Sequence, residues 1–317
     1  VVKEERMEQD MCYLENAEEY SNDKLEKLKE NFEIYRDDPV CAVVVGSFAR
    51  REATNQSDLD YFVITDDKEC GDKVLSQFPD FLKSHDIKAP SDGGAFGGTT
   101  KVGQMLNNVG GKDGDNDSLT RRLLFLLESE CLVGEDMYNR IQDELIKIYV
   151  KDGITEHQIC RFLLNDLIRY YRTICVDFEY KTSEQSKSWG DRNIKLLFSR
   201  KLMFFSGLLT VAQTAQSTCI QKREVLKRYF NLTPIQRVRE ICGDHALTAL
   251  GYYSDFINCI GCADTRAVLN RTHMERDTHD EEFRVHKNKG HHFTWCLSRL
   301  LDDTFDANHP IHLALKF

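Results

Sequence analysis

Val43-Val44-Val45-Gly46-Ser47-Phe48-Ala49-Arg50-Arg51-Glu52-Ala53-Thr54-Asn55-Gln56-Ser57-Asp58-Leu59-Asp60-Tyr61-Phe62-Val63-Ile64 is the stretch that decides the fold. An apolar β-branched run stops at Gly-Ser, a polar segment able to start a helix follows, and two aspartates one residue apart enter a second apolar run. The pattern predicts strand, glycine turn, short helix, strand. Side chains alternate along a strand, so Asp58 and Asp60 share one face while Leu59 and Tyr61 take the other. Two carboxylates held side by side repel each other unless a cation lies between them, and hard oxygen donors suit Mg²⁺ carrying a nucleotide phosphate. The Gly46-Ser47 turn offers the complement: close backbone approach, exposed N–H groups, a hydroxyl and a helix N-terminus toward an anion.

Gly-Ser, a spacer and then Asp-x-Asp resembles the signature of the DNA polymerase β-like nucleotidyltransferase superfamily. Within it, Gly46-Ser47-Phe48-Ala49-Arg50-Arg51-Glu52 followed by Ser57-Asp58-Leu59-Asp60 is similar to the stand-alone bacterial nucleotidyltransferases related to the PII uridylyltransferase of nitrogen regulation. The resemblance is strongest over residues 40–66 and fades beyond 150. It implies a small mixed-sheet α/β (α+β) catalytic domain in which Asp58 and Asp60 hold Mg²⁺ or Mn²⁺, while Gly46, Ser47 and Arg50 contact the nucleotide. It also implies a third carboxylate beside the pair, helping to hold the metal and activate the attacking hydroxyl.

Working outward, Glu128 is the best match for that third acid, because it precedes an apolar-Gly-acid ending, Cys131-Leu132-Val133-Gly134-Glu135. The same run also reads as a helix starting after Asp117-Ser118, in which Glu128 is an ordinary helical carboxylate. Asp86 and Asp92, nearer the expected third strand, are rivals. Two glycine-rich segments, 89–100 and 107–114, predict irregular backbone, either beside an active-site cleft or as a plain surface loop. They lack the Lys-Ser/Thr ending of a P-loop. Val74, Leu75, Phe78, Phe81 and Leu82 suggest an amphipathic helix with Pro79 in its middle.

On the N-terminal side, residues 1–39 are rich in Glu, Asp and Lys. Leu25, Leu28, Phe32 and Tyr35 recur at helical spacing, which predicts an amphipathic helix packed on the catalytic sheet and ending before Asp38-Pro39. The first residue, Val, is expected to reflect a missing or processed native start. The catalytic domain is expected over 40–150, and a helical domain closing the cleft over 151–317. One helix runs from Ile159 to Phe178, and a second runs from Trp189 to Leu209 with Arg192, Lys195, Arg200 and Lys201. Arg192 and Lys195 are the reachable pair for a phosphate clamp, with salt bridges to the acidic N-terminal helix as the other reading. Lys222 to Arg239 is locally basic and reads as an RNA contact or as a surface helix with snorkelling cations. Cys259-Ile260-Gly261-Cys262 has zinc-ligand spacing, with His273, His279, His286, His291 and His292 after it, yet no second Cys pair completes a finger.

The 317 residues, 41% of them hydrophobic, permit a substantial core and two domains. A net charge of −10 argues against wholesale polyanion binding. No stretch suits a bilayer span or a signal peptide, and 11 scattered cysteines suit a reducing compartment, so a soluble cytoplasmic protein is expected. Three functions are compatible with these features. The first is an enzyme transferring a nucleoside monophosphate from an NTP, ATP being favoured, to an unidentified protein, RNA or small-molecule acceptor with release of pyrophosphate. The second is a catalytically idle nucleotide-binding regulatory module. The third is the nucleotidyltransferase of a toxin–antitoxin pair. Oligomeric state is left open.

Overall fold

The computed structural model describes residues 2–90, 96–107, 109–110, 115–184, 188–273 and 280–316, with side chains from residue 12 onward. Helix α1 (Val2–Phe32) leads through a 3-10 turn to strand β1 (Cys41–Val45). Then follow β2 (Asp60–Ile64), α2 (Lys68–Leu75), α3 (Phe78–Ser84), β3 (Thr99–Thr100), α4 (Val102–Leu106), α5 (Asn116–Leu127), β4 (Ser129–Val133) and α6 (Glu135–Tyr149). The regular elements described beyond are helical: α7 (Arg161–Ser183), α8 (Trp189–Leu197), α9 (Ser199–Ala212), α10 (Cys219–Phe230), α11 (Pro234–Cys242), α12 (Leu247–Gly261), α13 (Ala263–Arg271), α14 (Glu281–Thr304) and α15 (Pro310–Ala314).

The strands form one mixed sheet in the order β3-β2-β1-β4, so the chain has the mixed α/β class that its motif implies. Strand β1 runs antiparallel to both neighbours, and β2 runs parallel to β3. All five residues of β1 are buried because helices cover both faces, which is why it reads as an unbroken apolar run. On one face Cys41, Val43 and Val45 join Phe62, Ile64 and the helices from α5 onward. On the other, Ala42 and Val44 join Tyr61, Val63, Phe32 and Phe78. The alternation of β2 sends Asp60 to the Phe62 and Ile64 face. Val45 pairs with Asp60 on one side and with Ser129 on the other, so three strand ends lie in a row. Gly46, Asp58 and Glu128 stand just beyond them.

Helix α1 stops at Phe32, before Asp38-Pro39, and it packs on α12 as well as on β4 of the sheet. Other local expectations are corrected. The helix expected over residues 74–82 is two helices, because Pro79 occupies the first turn of α3, where no amide is needed for the ladder. Part of the 89–100 segment is an edge strand: the Gly97 amide donates to the Tyr61 carbonyl (2.8 Å) and the Val63 amide to the Gly98 carbonyl (3.0 Å). Asp92, Gly93, Gly94, Asn108, Gly111, Lys112, Asp113 and Gly114 lie outside the described residues. The helix begun at Trp189 divides at Phe198 into α8 and α9.

Two cations of the basic 222–239 segment are interior rather than on a nucleic-acid surface. The Lys222 ammonium donates to the carbonyls of Glu156 (2.9 Å) and Thr214 (2.6 Å). Arg237, only 1% exposed, donates to the carbonyls of Tyr229 (2.6 Å) and Leu127 (2.7 Å), tying the ends of α10 and α5 together. At the Cys-x-x-Cys, Cys259 Sγ lies 3.6 Å from His286 Nε2, Cys262 is exposed, and burial pushes the Cys259 thiol up to about 12. Among the described residues no three His, Cys, Asp or Glu side chains converge as a metal group, and His279 lies outside them. His291 and His292 are exposed, the latter stacked on Tyr252. Among the described residues no helix is long and apolar enough to cross a membrane.

Candidate active site

The site is built where β1 ends. Gly46 takes φ +73°, a conformation open to glycine at little cost, and the chain then makes a single turn rather than the expected helix. The amides of Arg50 and Glu52 donate to the carbonyls of Gly46 (2.9 Å) and Ser47 (2.8 Å), and Arg51 at φ +62° ends the turn. The half-buried Ser47 sits at its start.

The turn lies directly against Asp60. A Cβ placed on Gly46 would stand 3.1 Å from Asp60 Oδ2, so the bare Cα is what lets the carboxylate fit there. The backbone of Asp58 forms an isolated parallel β-bridge with that of Lys88 just before β2. Burial, and then the neighbouring Asp58 charge, push the Asp60 carboxyl up to about 7; Glu128 acts in the same sense, while Arg200 and Arg50 oppose it. The two aspartates, Glu128 and two arginines therefore share one electrostatic neighbourhood.

Glu128 is neither a solvent-facing helical acid nor a free third ligand. It caps the C-terminus of α5 immediately before β4, and its side chain is fully buried. One carboxylate oxygen pairs with Arg50 Nη1 and the other with Arg200 Nη1 (3.4 Å). Arg50, expected to touch the nucleotide, is instead buried between Glu128 and Glu52, with Nε 2.8 Å from Glu52 Oε2. Tyr170 of α7 borders the same group, its hydroxyl raised first by burial and then by Glu128. Asp86, the rival acid, is exposed in the turn after α3, and its charge is felt at Tyr20.

Of the four cations on α8 and α9, the one brought beside the acid pair is Arg200. Sequence reasoning preferred Arg192 and Lys195, since the break at Phe198, which re-aims α9, leaves no mark in the helical periodicity. Lys195 pairs with Asp191 of its own helix (2.9 Å). Arg192 is half-buried on the same helix.

The donors present fit a divalent cation of the hard class. Two adjacent carboxylates, one resisting ionisation through burial and its neighbour's charge, are relieved by a cation, and Mg²⁺ is commonly held by one or two carboxylates with phosphate oxygens and water completing the shell. Because Asp60 must lose its proton to bind metal, affinity for Mg²⁺ should fall about tenfold per pH unit well below pH 7 and level off above it. Calorimetric titrations between pH 5 and 8 read this directly, and an affinity that stays flat across that range would contradict it.

Residues 8–85 match the family model described as "Putative nucleotidyltransferase DUF294". The matched span carries the Gly46 turn, Asp58 and Asp60, and ends before Glu128 and Arg200. It supports nucleotidyl transfer as the general class of activity. No curated protein matches the chain.

Proposed function

We propose that the chain is a metal-dependent nucleotidyltransferase that moves a nucleoside monophosphate from an NTP to an acceptor with release of pyrophosphate. The observation that carries this reading is the contact of the Gly46 turn with Asp60: a phosphate-sized anion at the turn's amides and a cation at the carboxylates would be neighbours. Mg²⁺ or Mn²⁺ bound there would neutralise charge at the α-phosphorus and lower the acceptor's pKa. Asp58 and Asp60 hold that charge in place, and Gly46 and Ser47 orient the β- and γ-phosphates. Arg200 offers a cation at the same site, with Arg192 and Lys195 on the preceding helix. Kinship with the stand-alone bacterial enzymes related to the PII uridylyltransferase, ATP as donor and a cytoplasmic setting belong to this proposal, supported by the wording of residues 46–60 and by the acidic, cysteine-rich composition.

One observation favours a second reading, nucleotide binding without transfer: the carboxylate best placed as a third acid is occupied by two arginines. Incubation with each α-labelled NTP and Mg²⁺, alone and with cell extract, separates the two. Label on an acceptor supports the transferase; label that binds reversibly and is never transferred supports the binding module.

The turn yields a further expectation. Gly46→Val brings a side chain against Asp60 and a β-branched residue to positive φ, and should abolish nucleotide binding. Ser47→Ala removes one hydroxyl and should weaken binding by about 1–3 kcal/mol, the scale of a hydrogen bond to a charged group. Fluorescent-nucleotide titration measures both.

A further inference from the structure

The loop that delivers Asp58 is held from a distant part of the chain. Residues 54–57 close a small turn, in which the Ser57 amide donates to the Thr54 carbonyl (2.9 Å) and the Thr54 amide to Ser57 Oγ (3.0 Å). Its outward carbonyl, that of Gln56, accepts from Arg266 Nη1 on α13 at 2.5 Å. The same guanidinium turns its Nε toward Asp191 Oδ1 on α8 (3.6 Å), and the other oxygen of Asp191 pairs with Lys195. Helices α8 and α13 are themselves in close contact: a Cβ on Gly190 would stand 2.4 Å from the Leu269 carbonyl oxygen. Nearby, Gly261 at the end of α12 lies against Thr54, where a Cβ would stand 3.1 Å from Cγ2. Arg266 is only 18% exposed, and its planar fork combines one hydrogen bond, to the Gln56 carbonyl, with a longer ion-pair approach to Asp191, a combination that a single ammonium cannot reproduce.

We propose that Arg266 is a positioning residue of the acid pair: together with Lys88, which also reaches Gln56, it holds the 54–57 turn, and through it the reach of Asp58 toward Asp60. The proposal rests on the reading of Asp58 and Asp60 as metal ligands. Since the Gln56 carbonyl lies only two residues before Asp58, a shift of the turn displaces one metal donor and leaves Asp60, fixed in the sheet, where it is. Arg266 also links the 54–57 turn to the helix that carries Arg192 and Lys195.

The test uses the full chain, with Mn²⁺ alone as probe followed by electron paramagnetic resonance, and amide hydrogen exchange of residues 54–59 read in parallel. Arg266→Met should weaken Mn²⁺ binding about 10- to 100-fold, the usual effect of losing a group that orients a metal ligand, and should speed exchange at 54–59. Arg266→Lys, which keeps one contact, should fall between Arg266→Met and wild type. Unchanged Mn²⁺ affinity and unchanged exchange in a folded Arg266→Met protein would overturn the proposal, as would lost stability with wild-type affinity. If wild-type protein binds no Mn²⁺, the reading of the acid pair fails and the proposal with it. Wild-type binding that Asp60→Asn abolishes and Arg266→Met leaves intact defeats the positioning role alone.

Discussion

Replacing Asp58 and Asp60 together with asparagine will lower nucleotidyl transfer by roughly a thousandfold or more, the scale of deleting a preorganised electrostatic contact with the transition state. Size and hydrogen-bonding shape are kept, so the fold should be kept too. Stability should if anything rise. The folded-state pKa of Asp60, about 7, lies above its ordinary value of 3.8, so the folded protein holds a proton there that the unfolded chain gives up between these values. Stability contributed by that proton is complete below about pH 4 and is lost as pH rises through 7. Asparagine never ionises and removes the loss. Transfer assays paired with thermal melts at pH 8 check both halves, and wild-type activity in the double variant would remove the acid pair from the mechanism.

Arg50→Met should be the most destabilising of the substitutions considered at the site. Its guanidinium is 6% exposed and lies between Glu52, 1% exposed, and the fully buried Glu128. Methionine retains much of the volume but leaves two buried carboxylates with one fewer cation between them. Breaking a buried pair from one side costs about 3–5 kcal/mol, a large part of the roughly 5–15 kcal/mol that holds a typical domain folded. Burial already raises the Glu52 carboxyl above its usual range in spite of Arg50, and without Arg50 Glu52 should bind a proton still more readily in the folded state. The loss should therefore be largest near neutral pH and shrink on acidification. Urea denaturation at pH 5 and pH 8 measures this, and equal losses at both would mean that the charges are not what Arg50 balances.

The layout around residues 43–64 was legible because its signals are local. A β-branched run, a glycine needing positive φ and an alternating acid pair each constrain their own few residues, and the register of β1 with β2 then places Gly46 beside Asp60. The helical texture after Arg161 was legible for the same reason. What could not be read depends on meetings across the chain. Glu128 was singled out by pattern, yet the pairing that defines its state comes from Arg50, 78 residues earlier, and Arg200, 72 residues later. Arg50 looked like a phosphate contact because its motif neighbours are Gly46 and Ser47, and nothing local reveals two buried glutamates on either side of it. Lys222 and Arg237 read as surface cations since no sequence window shows that backbone carbonyls surround them. Arg266 carried no signal at all, its partner Gln56 being 210 residues away.

The most direct test of the central claim is an anomalous-scattering map from crystals grown with Mn²⁺ and a non-hydrolysable NTP. The account predicts a metal peak bonded to carboxylate oxygens of both Asp58 and Asp60, at about 2.0–2.6 Å as for a hard cation on oxygen, with the triphosphate on the Gly46-Ser47 turn. A peak elsewhere, or a nucleotide bound away from that turn with no metal at the two aspartates, would contradict it.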